Sequence, residues 1–538
     1  MVRPWGFSWR RSCWTVAVAK SCRTVSARLN KPIMTEVRVH LVGAGPGDPG
    51  LFTQRGLSLL QQADVVIADH LVNPELLLET RASVEIIRVD ATFSHDRSKR
   101  EELVRQLVLY ASTGKRVVRL KGGDCFLFGR GAEEAEALLD AGIPFEVVPG
   151  VSSAFAVPAA AGIPLTDRRY AHSVLLATGH AAEGESAVDF SHAANAADTL
   201  VVLMSKGRLR TICSELMDGG MDPQTPAAMI SRGTTPRQRS ITGVVCDIAD
   251  RVESSQLDLP ALLVVGSVVN LREKLSMFED RPLFGKRVVI TRPRSQSQRI
   301  VQRLMELGAQ PILLPTIRVA EITLDEAGQE TLSQLASYDG IFFTSTNAVR
   351  RTFEELDRLG LDSRVFAGVL VISVGAATSA ALKEHGLVPD VDPATFSQDG
   401  ICEALADSGV DGQVYLYPRA ERVRETLHQT IPAQGGRLMD LVLYRTETVT
   451  ESSVPKSLEE ESIDAVTFTS PSTVRGFFER LGSARANAIL AETLVMAIGK
   501  TTRAALVERG VSNVHTPDRS TVDDMVDQLC SLIGDGAA

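Results

Sequence analysis

The sequence predicts an α/β protein with mostly parallel sheets, and three observations predict it. Short Val/Ile/Leu-rich runs alternate with helix-length stretches along the chain. The pattern breaks near Arg272–Gly285, in LREKLSMFEDRPLFG, and a fresh strand-then-turn opens in KRVVITRP. A pair of strand–helix segments then recurs within the second half. At roughly 150 residues per domain, 538 residues predict three to four domain-sized lobes.

Taking the elements in order, residues 1–33 are Arg- and Ser-rich and free of acids. They read either as a transit-like extension or as sequence upstream of a start at Met34, and disorder is expected in both cases. Val37, Val39 and Leu41 alternate as a strand and lead into VGAGPGDPG, Val42–Gly50, ahead of a helical stretch from Thr53 to Gln62. Strand, glycine loop and helix is the setting of a dinucleotide site. Pro46 and Pro49 each remove an N–H, however, and Asp48 brings negative charge where a pyrophosphate needs donors, so NAD is not expected here. Further strands are predicted at Ala63–Ala68, Arg116–Leu120, Phe145–Val148, Ser173–Ala177, Thr199–Leu203 and Ala261–Val265, and a domain boundary close to Asp280.

Beyond that boundary IFFTSTNAVRRTFEEL (Ile341–Leu356) is echoed by VTFTSPSTVRGFFERL (Val466–Leu481). SVGAATSAAL (Ser373–Leu382) is likewise echoed by AIGKTTRAAL (Ala497–Leu506). Each segment is an apolar strand followed by a Ser, Thr or Gly at the start of an amphipathic helix. Two such lobes enclose a cleft. Thr344, Ser345, Thr378, Thr469, Ser470 and Thr502 either line it as anion-binding hydroxyls or serve as ordinary helix caps.

Composition narrows the function. No apolar run approaches the roughly 18 residues of a membrane span. A net charge of −9 argues against a nucleic-acid platform, and the seven scattered cysteines lack metal-ligand spacing, so no metal is expected and a reduced, cytoplasmic setting is.

From Val37 to about Leu275 the chain resembles uroporphyrinogen-III C-methyltransferase. The resemblance is carried by LVGAGPGDPGLFTQRGL, ADVVIADHLV, GKRVVRLKGGDCFLFGRGAEEAEAL, AGIPFEVVPGVSSAFAVPAAAGIPLTDRRYAHSV, TGH, SRGTTPRQRSITG and PALLVVGSVV. It implies a two-lobed fold, use of S-adenosylmethionine to methylate two pyrrole carbons of uroporphyrinogen III, and a homodimer formed through this domain. By the same resemblance the cofactor contacts fall on Pro46, Gly122, Gly123, Asp124, Leu127, Ser152, Ser153, Met204 and Gly233. Asp69 takes the role of the base that removes a proton from the methylated macrocycle. Such a site needs close backbone approach more than a phosphate cradle, and Gly122 and Gly123 permit that. Arg119, Arg130, Arg168, Arg169, Arg232 and His172 are candidate partners for substrate carboxylates. One departure stands out: where the family commonly carries Gly-Lys-Arg, with a proton-donating lysine, this chain has Asp90-Ala91-Thr92, so no proton donor is named.

From Lys286 to about Leu532 the chain resembles uroporphyrinogen-III synthase, through VVITRP, FFTSTNAVR, SVGAATSAAL, YLYPRAERVRETL, LVLYRT, DAVTFTSPSTVRGFF and AIGKTTRAAL. The resemblance implies a second two-lobed fold with parallel sheets, one lobe from 286–318 plus 445–532 and the other from 319–444. It also implies cofactor-free closure of hydroxymethylbilane with inversion of one ring. Tyr444 matches the tyrosine that assists the leaving hydroxyl, and Arg292 and Arg419 join the candidate carboxylate binders. The expectation is therefore a fused enzyme, 34–280 methylating what 286–532 makes. Two other readings remain: a methyltransferase of different corrinoid specificity or impaired activity beside an active synthase, and a tetrapyrrole-binding scaffold without turnover.

Overall fold

A computed structural model describes residues 37–81, 83–90, 97–180, 188–391, 410–423, 425–449, 458 and 462–535. The expected extension 1–33 and Ala91 lie outside these residues. The chain divides into two units between Asp280 and Arg281, and each contains two five-stranded sheets.

In the first unit β1 (Val39–Gly43), β2 (Val65–Asp69), β3 (Glu85–Val89), β4 (Val117–Lys121) and β5 (Phe145–Val148) form an all-parallel sheet of order β3-β2-β4-β1-β5. Alternate residues of its central strands feed two separate cores. Val39, Leu41, Val65, Ile67 and Val117 pack on one face, and Val42, Val66, Ala68, Val118 and Leu120 on the other. Burial on both faces makes these strands read as continuous apolar runs. The edge strand β3 is mostly exposed, and its EIIRV carries no such signal; it is absent from the expected strands.

The second sheet is mixed. Its strands are β6 (Val174–Thr178), β7 (Thr199–Leu203), β8 (Pro226–Ser231), β9 (Arg239–Val244) and β10 (Ala261–Val265), in the order β6-β7-β10-β8-β9. Only β6 and β7 are parallel; β10 runs against both β7 and β8, and β8 against β9. The short Arg232–Gln238 connection is a hairpin that cannot return the chain parallel. Spacing of apolar runs does not distinguish a hairpin from a crossover, so the mostly parallel expectation holds for the first sheet but not for this one.

The second unit has an all-parallel sheet of β11 (Arg287–Ile290), β12 (Gln310–Leu313), β18 (Ala465–Phe468), β19 (Leu494–Ala497) and β20 (Val514–His515), in the order β12-β11-β18-β19-β20. Its other sheet, β13-β17-β16-β14-β15, joins β13 (Ile317–Glu321), β14 (Gly340–Phe343), β15 (Leu370–Ser373), β16 (Val414–Ala420) and β17 (Arg437–Thr448). All its pairs are parallel except β13 with β17, the two strands by which the chain enters and leaves this lobe. Parallel order places the C-terminal strand ends along one edge of each sheet, where open α/β sheets bind ligands.

Candidate functional sites

In the first unit three glycines from different strand ends meet backbone to backbone. A Cβ on Gly150 would stand 2.2 Å from the Gly123 carbonyl oxygen and 2.7 Å from Gly43 Cα. Gly45 and Gly123 exchange N–H···O bonds of 3.1 and 2.7 Å, and Gly123 takes φ +68°, a conformation that suits glycine. Beside them the Ser153–Ala160 helix begins, capped by Ser152, whose hydroxyl accepts from the Ala154 N–H at 3.2 Å. The Pro46 loop reaches the far lobe: the Asp48 N–H donates to Thr234 Oγ1 at 3.2 Å, and a Cβ on Gly47 would lie 2.7 Å from Thr235 Cγ2. Pro46, Gly122, Gly123, Ser152, Ser153 and Gly233 are thus brought together around one cleft.

Met204 lies on the edge of the second sheet that also carries Gly233. Its φ is +53° and half its surface is open. Among the described residues six non-glycine residues have positive φ. Five of them, Phe128, Arg130, Met204, Arg232 and Thr234, stand in these motif loops. Strain of that kind collects at functional sites.

Several expected roles change. The Asp124 carboxylate accepts the N–H groups of Phe126, Leu127 and Gly150 at 2.8, 3.0 and 3.1 Å. It therefore shapes the loop, while its second oxygen, which accepts only the Gly150 N–H, keeps capacity for a further donor. The Leu127 side chain packs against the apolar core of the second lobe. Arg119 is not a surface cation: it is 2% exposed and pairs with Asp69 and Glu134. Burial opposes its charge, but Glu134 and Asp69 outweigh burial and raise its pKa. Arg169 is held by Asp167 and Arg232 by Asp258. Arg168 and His172 are exposed, and Arg130 precedes the Gly131–Asp140 helix half-exposed, in a left-handed conformation and without a side-chain capping bond. Asp69 ends β2 with its side chain about a quarter exposed.

In the second unit the cleft side of the β13–β17 lobe carries two hydroxyl pairs. Ser345 Oγ bonds the Tyr444 phenol at 2.7 Å, and Thr344 Oγ1 bonds the Tyr417 phenol at 3.2 Å. Burial is the main force raising the Tyr444 pKa; the Ser345 bond lowers it and neighbouring Tyr417 raises it. Ser345 also caps the Thr346–Arg358 helix, accepting from the Ala348 N–H at 3.1 Å, so both readings of that serine apply. Its echo Ser470 forms a capping box with Thr473, and Thr469 is half-buried at the end of β18.

Thr378 and Thr502 are 4% and 1% exposed. They lie inside their helices and do not present open hydroxyls to the cleft. Arg419 is likewise engaged, by Asp440 at 2.8 Å and by two carbonyls. Arg292 differs: its Nε makes a 3.4 Å contact to Gln296 Oε1, Gln296 bonds Asn347 at 2.8 Å, and burial lowers its pKa. A partly desolvated guanidinium beside a hydroxyl cluster is suited to a carboxylate. Tyr417 was missed in the sequence, because a buried strand tyrosine carries no local signal; its partner lies 73 residues away.

Two tandem α/β units, each of two lobes and each with glycine backbones or hydroxyl groups gathered at strand ends, define a fused two-part α/β protein. Residues 38–249 match the family of tetrapyrrole (corrin/porphyrin) methylases and residues 298–527 the uroporphyrinogen-III synthase HemD family. The chain is 36% identical over 499 residues to the porphyrin biosynthesis protein HemD of Ruminiclostridium josui, covering 92% of this chain and 98% of that protein. It is 36% identical to the uroporphyrinogen-III C-methyltransferase of Bacillus subtilis over 67% of this chain and 74% of that one. With the siroheme synthase of Pseudomonas fluorescens it shares 46% identity over 48% of this chain, and it spans about half that protein's length, 56%. The chain belongs to the tetrapyrrole methylase family through its first unit and to the uroporphyrinogen-III synthase family through its second.

Proposed function

We propose that this protein closes hydroxymethylbilane to uroporphyrinogen III in residues 286–532 and methylates that product twice, to precorrin-2, in residues 34–280. The observation that carries the reading is that one chain matches both families, and the product of ring closure is the substrate of methylation. S-adenosylmethionine supplies an electrophilic methyl group to the pyrrole carbon. The glycine backbones at Gly122 and Gly123, the helix start at Ser152–Ser153, the Pro46 loop, Met204 and Gly233 would hold it. The fit rests on Gly123, whose φ of +68° suits glycine and whose Cβ position has no neighbour nearer than the Ser153 nitrogen at 3.8 Å, leaving the open backbone that such a ligand requires.

Asp69 removes the proton left on the methylated carbon, from the exposed end of its strand. Arg130, Arg168 and His172 receive substrate carboxylates. In the synthase, Tyr444, kept protonated by burial and aimed by Ser345, donates toward the departing hydroxyl, while Arg292, Thr344 and Thr469 hold carboxylates. Catalysis there is largely positioning of the two chain ends. The methyltransferase unit acts as a homodimer, supported by the open side chains of Phe126 and Phe155 beside the cradle. Among the described residues no helix is long and apolar enough to cross a membrane.

Purified protein given hydroxymethylbilane should yield the type III isomer without cofactor and a dimethylated product only with S-adenosylmethionine. Formation of the spontaneous type I isomer alone would overturn the synthase assignment. Type III product that stays unmethylated would overturn the methyltransferase assignment.

A further inference from the structure

Behind Asp69 stands a group of buried charges that the chemistry above does not use. Period-two geometry puts Ile67 and Asp69 of β2 on the same face as Val117, Arg119 and Lys121 of β4, and Ile67 is in register with Arg119. That face is apolar until its C-terminal end, where it becomes fully charged. One amino group of Arg119 donates to Asp69 and, at 3.1 Å, to Glu134 Oε1. The other donates to the Leu120 carbonyl at 2.9 Å. Lys121 donates to the same Glu134 oxygen at 2.6 Å. Arg119, Lys121 and Glu134 are 2%, 3% and 7% exposed. Glu134 comes from the first turn of the Gly131–Asp140 helix, so the set ties β2, β4 and that helix together.

This arrangement is poorly explained by stability. Arg119 Nε and Glu134 Oε2 are sealed without hydrogen-bond partners, and a partly satisfied buried network is worse than an apolar one. Asp69 is the one member with a side chain open toward the cleft. We propose that Arg119, braced by Glu134 and Lys121, is a positioning residue that fixes the direction of the Asp69 carboxylate for proton removal. The inference rests on the reading of Asp69 as the base. Arg119 itself touches no substrate: its guanidinium is spent on Asp69, Glu134 and two backbone carbonyls, and a forked cation can hold these at once where an ammonium cannot.

The test uses the full chain, with kcat and KM for methylation of uroporphyrinogen III and calorimetric affinity for S-adenosylhomocysteine. Arg119→Lys keeps the charge and removes the fork; it should lower kcat by roughly 10–100-fold. KM and S-adenosylhomocysteine affinity should stay within about twofold, as for an interaction made only in the transition state. Glu134→Gln, similar in volume, should lower kcat in the same direction by a smaller factor. In an Asp69→Asn background neither substitution should cost anything further, because each acts through that carboxylate. Unchanged kcat in both variants, multiplicative loss in the Asp69→Asn background, or loss confined to S-adenosylhomocysteine affinity would each overturn the positioning role. If Arg119→Lys does not fold, Glu134→Gln and its double variant decide alone. Full methylation by Asp69→Asn would instead remove the base reading itself.

Discussion

Glu75 stands in the turn Pro74–Glu79, its N–H donated to Asn73 Oδ1 at 3.0 Å, and its carboxyl Oε2 is sealed from solvent without a partner. Burial, with a smaller contribution from the Asp48 charge, raises its pKa from 4.5 to about 7. In the unfolded chain the group ionises near 4.5, so between 4.5 and 7 the unfolded state binds fewer protons than the folded one. Stability must therefore fall as pH rises through that window. A gap of about 2.5 pH units at 1.36 kcal/mol each is worth roughly 3 kcal/mol, fully felt above pH 7 and absent below 4.5. Glu75→Gln carries no charge at any pH, so the variant should match the parent at pH 4 and exceed it by roughly 3 kcal/mol at pH 8. For a unit of this size that is roughly 6–12 °C in Tm. Scanning calorimetry of parent and variant at half-unit steps from pH 4 to 8 reads the difference directly, since other titrations cancel. A difference that does not change with pH would refute the argument, because a mere change in packing has no reason to follow that window.

Tyr444→Phe removes the phenol that Ser345 aims and should slow ring closure by about 10²-fold or more, with methylation of supplied uroporphyrinogen III unchanged. Because burial raises the Tyr444 pKa above its ordinary value, the parent's ring-closure rate should show no alkaline loss from this group between pH 7 and 9. Gly150→Ala places a Cβ 2.2 Å from the Gly123 carbonyl oxygen, against backbone that cannot rotate away. It should cost about 1–3 kcal/mol of stability and weaken S-adenosylhomocysteine binding about tenfold, both readable by calorimetry. Arg351 is fully buried and pairs with Glu321, Glu354 and Glu355. Arg351→Met leaves the buried Glu355 carboxylate with only its pair to half-exposed Arg358 and should cost about 1–3 kcal/mol in chemical denaturation, of which Glu355→Gln in the same chain should restore part.

What could be read from the chain before its structure follows from the range of the interactions involved. Strands buried on both faces, such as Val65–Asp69 and Val117–Lys121, announce themselves by composition. The exposed edge strand Glu85–Val89 and the hairpin partner Arg239–Val244 do not, because charged or polar residues interrupt their short apolar stretches and their pairing is set by neighbours. Glycine positions were legible in part: Gly122 and Gly123 stood in a loop that pointed to them, whereas the close approach of Gly43 and Gly150 exists only once their strand ends meet.

Charge and hydroxyl roles were legible only as residue types. Arg119 in RLKGGD offers a cation, but whether that cation meets a substrate or Asp69 depends on β2 and β4 lying side by side, across 50 residues of chain. Ser345 is a helix cap by its own sequence, and a partner of Tyr444 only once β17 is placed beside β14's outgoing loop, 99 residues later. The same holds in reverse for Thr378 and Thr502. Their motif matches that of Ser345 and Ser470, yet a shift of a few residues into the helix turns a cap position into a buried one. A motif can therefore locate a cleft, but the work each polar group does there is decided by the one distant residue that reaches it first. Tyr417 is the clearest instance: its strand does not single it out from its neighbours, and the Thr344 hydroxyl 3.2 Å from its phenol brings it into the cluster.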